Sequence, residues 1–160
     1  MAAPARSAGL LLWRVGDPDA SPASGPQVLI AHMGGPLWAR KDEHAWSIPK
    51  GEYDPDEDAR AAARREFAEE LGSPPPDGAW HELGEVTQRN GKIVTAWALE
   101  GDFDTTTVVS NTFEMEWPPR SGRRQSFPEI DRAEWVDVDT ARIRLVTAQT
   151  GFLDRLPWVR

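Results

Sequence analysis

The chain reads as an α/β protein with a mixed β-sheet packed between helices. Two observations predict this. Short apolar or alternating runs recur between breaks rich in glycine and proline, as strands do. Two longer stretches, one early and one late, carry helical periodicity instead, so helices and strands share one core. At 160 residues, 39% of them hydrophobic, the chain suits a single domain over 1–160 with a proper interior. No internal repeat and no linker interrupts it.

The elements follow in order. "SAGLLLWRV" (7–15) and "QVLIAH" (27–32) read as paired strands, separated by the loop "GDPDASPASGP" (16–26). "GGP" (34–36) is a turn and "AWSIP" (45–49) a short strand, with Pro49 forcing Ile48 into an extended conformation. A loop follows, then a helix from 56 to 71, ended by Gly72 and the prolines 74–76. "WHELGEVTQ" (80–88) and "KIVTAWALE" (92–100) are strands joined through an Asn-Gly hairpin signal. "NTFEMEW" (111–117) alternates as a further strand, and "PPRSGRRQSFPE" (118–129) reads as a loop. "AEWVDV" (133–138) is the last strand, and 139–156 forms one or two closing helices.

Composition narrows the function. The absence of cysteine excludes disulfides, thiol catalysis and thiolate-bound metals, and fits a reducing cytoplasm. No apolar run is long enough for a membrane span. "MAAPARSAGLLLW" reads as the approach to a first strand rather than a signal peptide. A net charge of −8 disfavours binding to long nucleic acid. A small anion held through a metal ion or a local basic cluster remains open, as does pairing into a homodimer.

Residues 50–73 pose the functional question. Three carboxylates, Glu66, Glu69 and Glu70, fall within five residues of an alanine-rich helix. On a helical wheel Ala59, Ala63, Phe67 and Leu71 make an i, i+4 stripe toward a core. The glutamates occupy an arc of about 100° beside that stripe. Like charges three and four residues apart repel, so the arrangement costs stability unless something positive sits among them. Arg65 is one such partner, within reach of Glu69. A divalent cation is the natural other, because Mg²⁺ prefers carboxylate oxygens and keeps waters that substrate phosphates can replace. Gly51 stands where a bare backbone can bring its carbonyl close to an ion. Glu57 stands at the helix start, where its charge suits the dipole. The alternative is a solvated helix face.

Gly51, five residues, Glu57, seven residues, then "REFAEELG" (65–72) resembles the Nudix box, with Ser73 in place of its final apolar residue. "WSIPKG" (46–51) resembles the lead-in of several branches of that family. The stretches "HMGGPLWARKDEHAWSIPKGEYD" and "AQTGFLDRL" resemble a bacterial subgroup of Nudix NTP pyrophosphohydrolases. The resemblance implies a Nudix-type α/β/α sandwich with a box at 51–73. It also implies Mg²⁺- or Mn²⁺-dependent attack of water on a pyrophosphate in a small nucleotide. Glu66, Glu69, Glu70 and the Gly51 carbonyl would hold the metal, and Glu57, Arg65, Glu69 and Glu70 would form the catalytic set. Lys50 and Arg40 become candidate phosphate contacts, alongside Lys41, Arg89 and Lys92, which also read as plain solvated surface. Family members recruit a further acid outside the box; Glu129 is the candidate here, with Glu114 and Glu116 competing. His32, His44 and His81 lack metal-ligand spacing. Trp46 and Trp97 read as core rather than as base-stacking residues. Diadenosine polyphosphate hydrolases of the family carry a tyrosine past the box where this chain has "QRNGK". A dinucleoside polyphosphate substrate and a non-catalytic nucleotide sensor stay open as alternatives.

Overall fold

The computed structural model describes residues 3–17, 19 and 25–158, so much of the loop expected over 16–26 lies outside the described residues. The main sheet is built on β1 (Arg6–Arg14). Along one edge β1 runs parallel to β6 (Ile93–Glu100), which pairs antiparallel with β5 (Trp80–Thr87). The other edge of β1 is shared. Trp13 and Arg14 pair with β2 (Gln27–Met33), while Ser7–Gly9 pair with the short β4 (Lys50–Glu52). Between them the Leu10 N–H donates to the Pro49 carbonyl at 3.1 Å. β1 and β2 therefore splay apart, and the chain from β3 (Trp46–Ser47) to β4 fills the wedge. β9 (Ile130–Asp137) pairs along β2.

Period-2 alternation in β1 sends side chains to two cores. Leu10 and Leu12 pack with Phe67 and Leu71 of α1 (Ala59–Leu71) on one face. Leu11 packs with Trp46, Ile48, Leu145 and Phe152 on the other, beneath α2 (Val138–Arg144) and α3 (Thr150–Asp154). The result is the mixed sheet between helices that the sequence predicts. No helix among the described residues is long and apolar enough to cross a membrane.

Several boundaries differ from expectation. α1 starts at Ala59 rather than 56, because the Asp58 side chain caps it by accepting from the Ala61 N–H at 2.9 Å. Glu57 thus lies just outside the helix, in the preceding turn. The helix ends as expected at Gly72, whose φ of 83° is a left-handed cap open to glycine. The loop after Pro49 includes β4, since Lys50–Glu52 find partners on β1 that the sequence does not announce.

The expected loop 118–129 contains a strand, β8 (Arg124–Pro128), paired with β7 (Thr112–Glu116) in a separate two-stranded ribbon. "RQSFP" has no apolar alternation; its cross-strand contact is Phe127 against Phe113, ring centroids 6.1 Å apart. β9 begins at Ile130, three residues before the expected start, and continues its pairing with β2 through Arg132 and Ile130, with Asp131 left out at an irregularity between them.

Candidate active site

The wedge between β1 and β2 carries Gly51 against the middle of α1. A Cβ on Gly51 would collide with the Glu66 carboxylate, so the glycine is what lets that side chain lie on the loop backbone. One turn on, Glu70 Oε1 accepts the Lys50 backbone N–H at 3.3 Å. Arg65 binds the rest together. Its Nε and Nη2 donate to the two Glu57 oxygens, each at 3.0 Å, a fork that ties the loop to the helix. Its Nη1 donates to Glu66 Oε1 at 2.7 Å and reaches Glu69 at 3.4 Å.

These residues open onto a cavity of about 400 Å³. Its wall brings Gly51, Glu66, Glu69 and Glu70 together with Glu52 and Glu129. Glu129 comes from the β8–β9 loop, which is pinned by its N–H to the Asn111 carbonyl at 2.8 Å and by the Gly34 N–H to its own carbonyl at 2.9 Å. Glu114 and Glu116 lie exposed on the ribbon and do not line this cavity, so of the three competing acids only Glu129 reaches it.

The crowding is only partly relieved by Arg65 and Lys50. Burial first, and then the Glu129 and Glu66 charges, push the Glu70 carboxyl up to about 8, against the opposing pull of Lys50. Burial and Glu69 raise Glu66 above the usual carboxylate range despite Arg65, and burial and Glu69 also raise Glu129. Burial lowers Lys50, partly offset by Glu70. Arg65 is held above its ordinary value, chiefly by its Glu57 hydrogen bond. Among the described residues no three acidic or histidine side chains converge tightly enough to enclose an ion as they stand. Glu66 is engaged by Arg65 and Glu70 by the Lys50 N–H.

A second cavity, about 560 Å³, adjoins the first through Met33, Ser47, Lys50 and Lys92. It continues past Trp38, His44, Gln88, Arg89 and Gln149. Arg89 and Lys92, alternatively read as solvated surface, line it because the β5–β6 turn folds toward it. Arg40 does not: it lies exposed in the turn after β2 and lines neither of these two cavities. Trp46 is buried between the Arg132 and Arg144 guanidinium groups, at 4.9 and 5.0 Å. Trp97 packs against Trp80, 5.9 Å away, with the α1-side core. The tryptophan that faces the cavity is Trp38.

His32 and His81 are structural or peripheral, whereas His44 lines the larger cavity. His32 is buried between Asp131 at 2.9 Å and the Lys41 carbonyl at 2.6 Å, and His81 is exposed. Sequence reasoning missed Ser47, Gln88 and Gln149. The one available signal was a lone glutamine within the apolar stretch 145–153.

The comparisons agree with this fold. The NUDIX domain family model matches residues 21–156. A Caenorhabditis elegans Ap4A hydrolase in a binary complex is similar at 22% identity, over 92% of this chain and 91% of that one, with a TM-score of 0.60. A MutT protein from Methanosarcina mazei is similar at 19% identity, over 97% and 94%, with a TM-score of 0.59. The NUDIX domain of Shewanella oneidensis NrtR, complexed with ADP ribose, is similar at 14% identity, over 98% and 84%, with a TM-score of 0.58. At these identities the likeness is one of fold. The family match spans most of the chain, including the whole loop and helix that carry the acidic wall, and so the chain belongs to the Nudix family.

Proposed function

We propose that the chain hydrolyses a phosphoric anhydride bond in a small nucleotide, with Mg²⁺ or Mn²⁺ bound at the acidic wall. One observation carries this reading. Glu66, Glu69, Glu70 and Glu129 line one cavity, and the cavity beside it is lined by Lys50, Arg89 and Lys92. Burial first, and neighbouring carboxylates second, raise the pKa values of Glu66, Glu70 and Glu129, and a hard divalent cation would favour their charged forms. The donor set fits such an ion, with Glu66, Glu69 and Glu70 as ligands and the Gly51 carbonyl beside them. When bound, the ion neutralises the phosphate oxygens and lowers the pKa of a coordinated water.

The chain's own groups do the rest. Arg65, braced by Glu57, holds Glu66 against the Gly51 loop. Lys50 and Lys92 stand where the two cavities meet and are placed to receive phosphate oxygens. A water oxygen bonds to phosphorus as the bridging P–O bond breaks, and the bonding pair leaves with the departing phosphate. The proton that water loses passes to a cavity carboxylate, for which Glu129 is our candidate. A chain without cysteine suits a reducing compartment, so we place the activity in the cytoplasm.

The test is a panel of nucleoside triphosphates, nucleotide sugars and dinucleoside polyphosphates. Two of the similar structures, an Ap4A hydrolase and an ADP-ribose-bound domain, justify its breadth. Incubation with Mg²⁺ or Mn²⁺ in ¹⁸O-labelled water should consume a member and place one labelled oxygen in a product. Tight, metal-independent binding with no product from any member would instead make the domain a sensor.

A further inference from the structure

The larger cavity contains a buried amide network whose orientation follows from backbone atoms alone. Gln149 is fully buried, and its side chain meets the Ile48 backbone N–H at 2.9 Å. That N–H only donates, so the atom facing it is the Gln149 carbonyl oxygen. The Gln149 amide nitrogen then faces Ser47 Oγ at 3.0 Å and Gln88 at 3.1 Å. Ser47 spends its hydroxyl proton on the Ile48 carbonyl at 2.7 Å, so it accepts from Gln149. The second Gln149 proton requires an acceptor on Gln88, which is therefore Oε1. The Gln88 NH₂ group is left facing away from Gln149, on a residue that lines the cavity.

The neighbouring amide and the three cations there agree with it in sign. Asn90 Oδ1 accepts the Lys92 backbone N–H at 3.0 Å, so its NH₂ is also turned outward. His44 is the exception: its Nδ1–H donates to the Leu145 carbonyl at 2.9 Å, which leaves Nε2 as an acceptor in the neutral ring. Lys50, Arg89 and Lys92 only donate. No described carboxylate lines this cavity, and Met33, Trp38 and Val146 give it apolar wall.

We propose that this cavity selects the oxo-bearing over the amino-bearing base of its nucleotide, with Gln88 as the specificity residue and Gln149 as the positioning residue that fixes its amide. Hypoxanthine and uracil present a carbonyl oxygen where adenine and cytosine present an amino group. A fixed N–H donor gains a hydrogen bond with the first and faces an unpaired donor on the second. The inference rests on the nucleotide reading of the proposed function.

The experiment is calorimetry of the full chain with ITP, ATP, UTP and CTP in EDTA, where binding is read without turnover. ITP should bind more tightly than ATP, and UTP more tightly than CTP, each by about tenfold, the scale of one unmatched buried hydrogen bond. Gln88→Glu keeps an oxygen for Gln149 to donate to and replaces the outward NH₂ by an acceptor. Its added charge weakens both members of each pair alike, so the ratio is the readout, and it should fall below one. Gln149→Met should bring the ratio toward one; if it does not fold, Gln88→Glu decides alone. Equal binding within each pair, a ratio unchanged in Gln88→Glu, or no binding of any of the four overturns the inference. Hydrolysis of the same four with Mg²⁺ separates the two readings. Turnover without base preference sinks only the inference, and base preference without turnover sinks only the proposed activity.

Discussion

The acidic wall and the cavity beside it share four lining residues but are built in different ways. Apart from Glu129 and its neighbours, the acidic groups come from one continuous run, Gly51 to Glu70, folded as a loop on a helix. The larger cavity is assembled from four separated stretches, around 33–38, 44–50, 88–92 and 146–149. The first is encoded by spacing, because helical periodicity alone places Glu66 and Glu70 on one side. The second exists only after β2, the β5–β6 turn and the approach to α3 have met. In the reading proposed above, the chemistry common to many ligands sits on the local element, and the groups that distinguish ligands sit where distant segments converge.

The sharpest way to break this comparison is Glu70→Gln. If the acidic wall holds the ion that polarises the phosphate, turnover should fall by about a hundredfold or more, since such ions supply several kcal/mol to the transition state. Nucleotide binding in EDTA should change far less, because the base-facing groups are intact. Activity within a few-fold of wild type on a confirmed substrate would remove the acidic wall from the mechanism.

Gly51→Ala tests the same wall through packing. The new methyl meets the Glu66 carboxylate, which must leave the loop. Forcing one methyl into a filled site costs about 1–3 kcal/mol. Activity should drop with it, and a melting temperature and kinetics both unchanged would show that the loop yields without cost.

The protonation of the wall gives a third measurement. Glu70 is raised from 4.5 to about 8 in the folded chain, so folding favours its protonated form. That contribution is fully present below pH 4.5 and is lost as pH rises toward 8. Glu66 and Glu129 are shifted the same way and add to it. Without metal, stability should therefore decline between about pH 5 and 8 by on the order of a few kcal/mol, or roughly 5–10 °C in melting temperature. Mg²⁺ at pH 8 should restore much of it, and Glu70→Gln should flatten the slope. A slope as steep in Glu70→Gln as in wild type would assign it elsewhere.

What was legible in the sequence divides along the same line. The acidic helix could be read to its C-terminal glycine, because the signals for that helix lie within it. Its start lies three residues later than expected, because the Asp58 side chain takes the Ala61 N–H as its cap. β8 was invisible because it is held by one aromatic pair across a ribbon rather than by a buried face. Gln149 could not be assigned a role, because its partners Ser47 and Gln88 lie far away in sequence. Arg40 shows the converse: it is near the box in sequence but lines neither of the two cavities.

Arg65→Ala should have a smaller effect on stability. Its fork to Glu57 is part-exposed, and exposed ion pairs contribute about 0–1 kcal/mol each. The loss should be about 1 kcal/mol, with a larger loss of activity as Glu66 is released from its partner. Unchanged kinetics would reduce Arg65 to a solvated residue.

The smallest effect, and the one that sharpens the comparison most, is the contrast between Arg40→Ala and Arg89→Ala. Both arginines are exposed, lie in turns and follow strands that border the cleft. Composition and position in sequence do not separate them. The structure does, since Arg89 lines the larger cavity and Arg40 lines neither. Each substitution should change stability by no more than about 0.5 kcal/mol, as surface changes usually do. Arg89→Ala should raise KM several-fold with little change in kcat, the pattern of a contact made equally in the bound and transition states. Arg40→Ala should leave both constants within about twofold of wild type, because nothing it touches reaches the ligand. An equal rise in KM for both would mean that the turn at 36–40 comes over the cavity when nucleotide binds. The larger cavity would then owe its cations to a fifth stretch of chain, brought in only by the ligand.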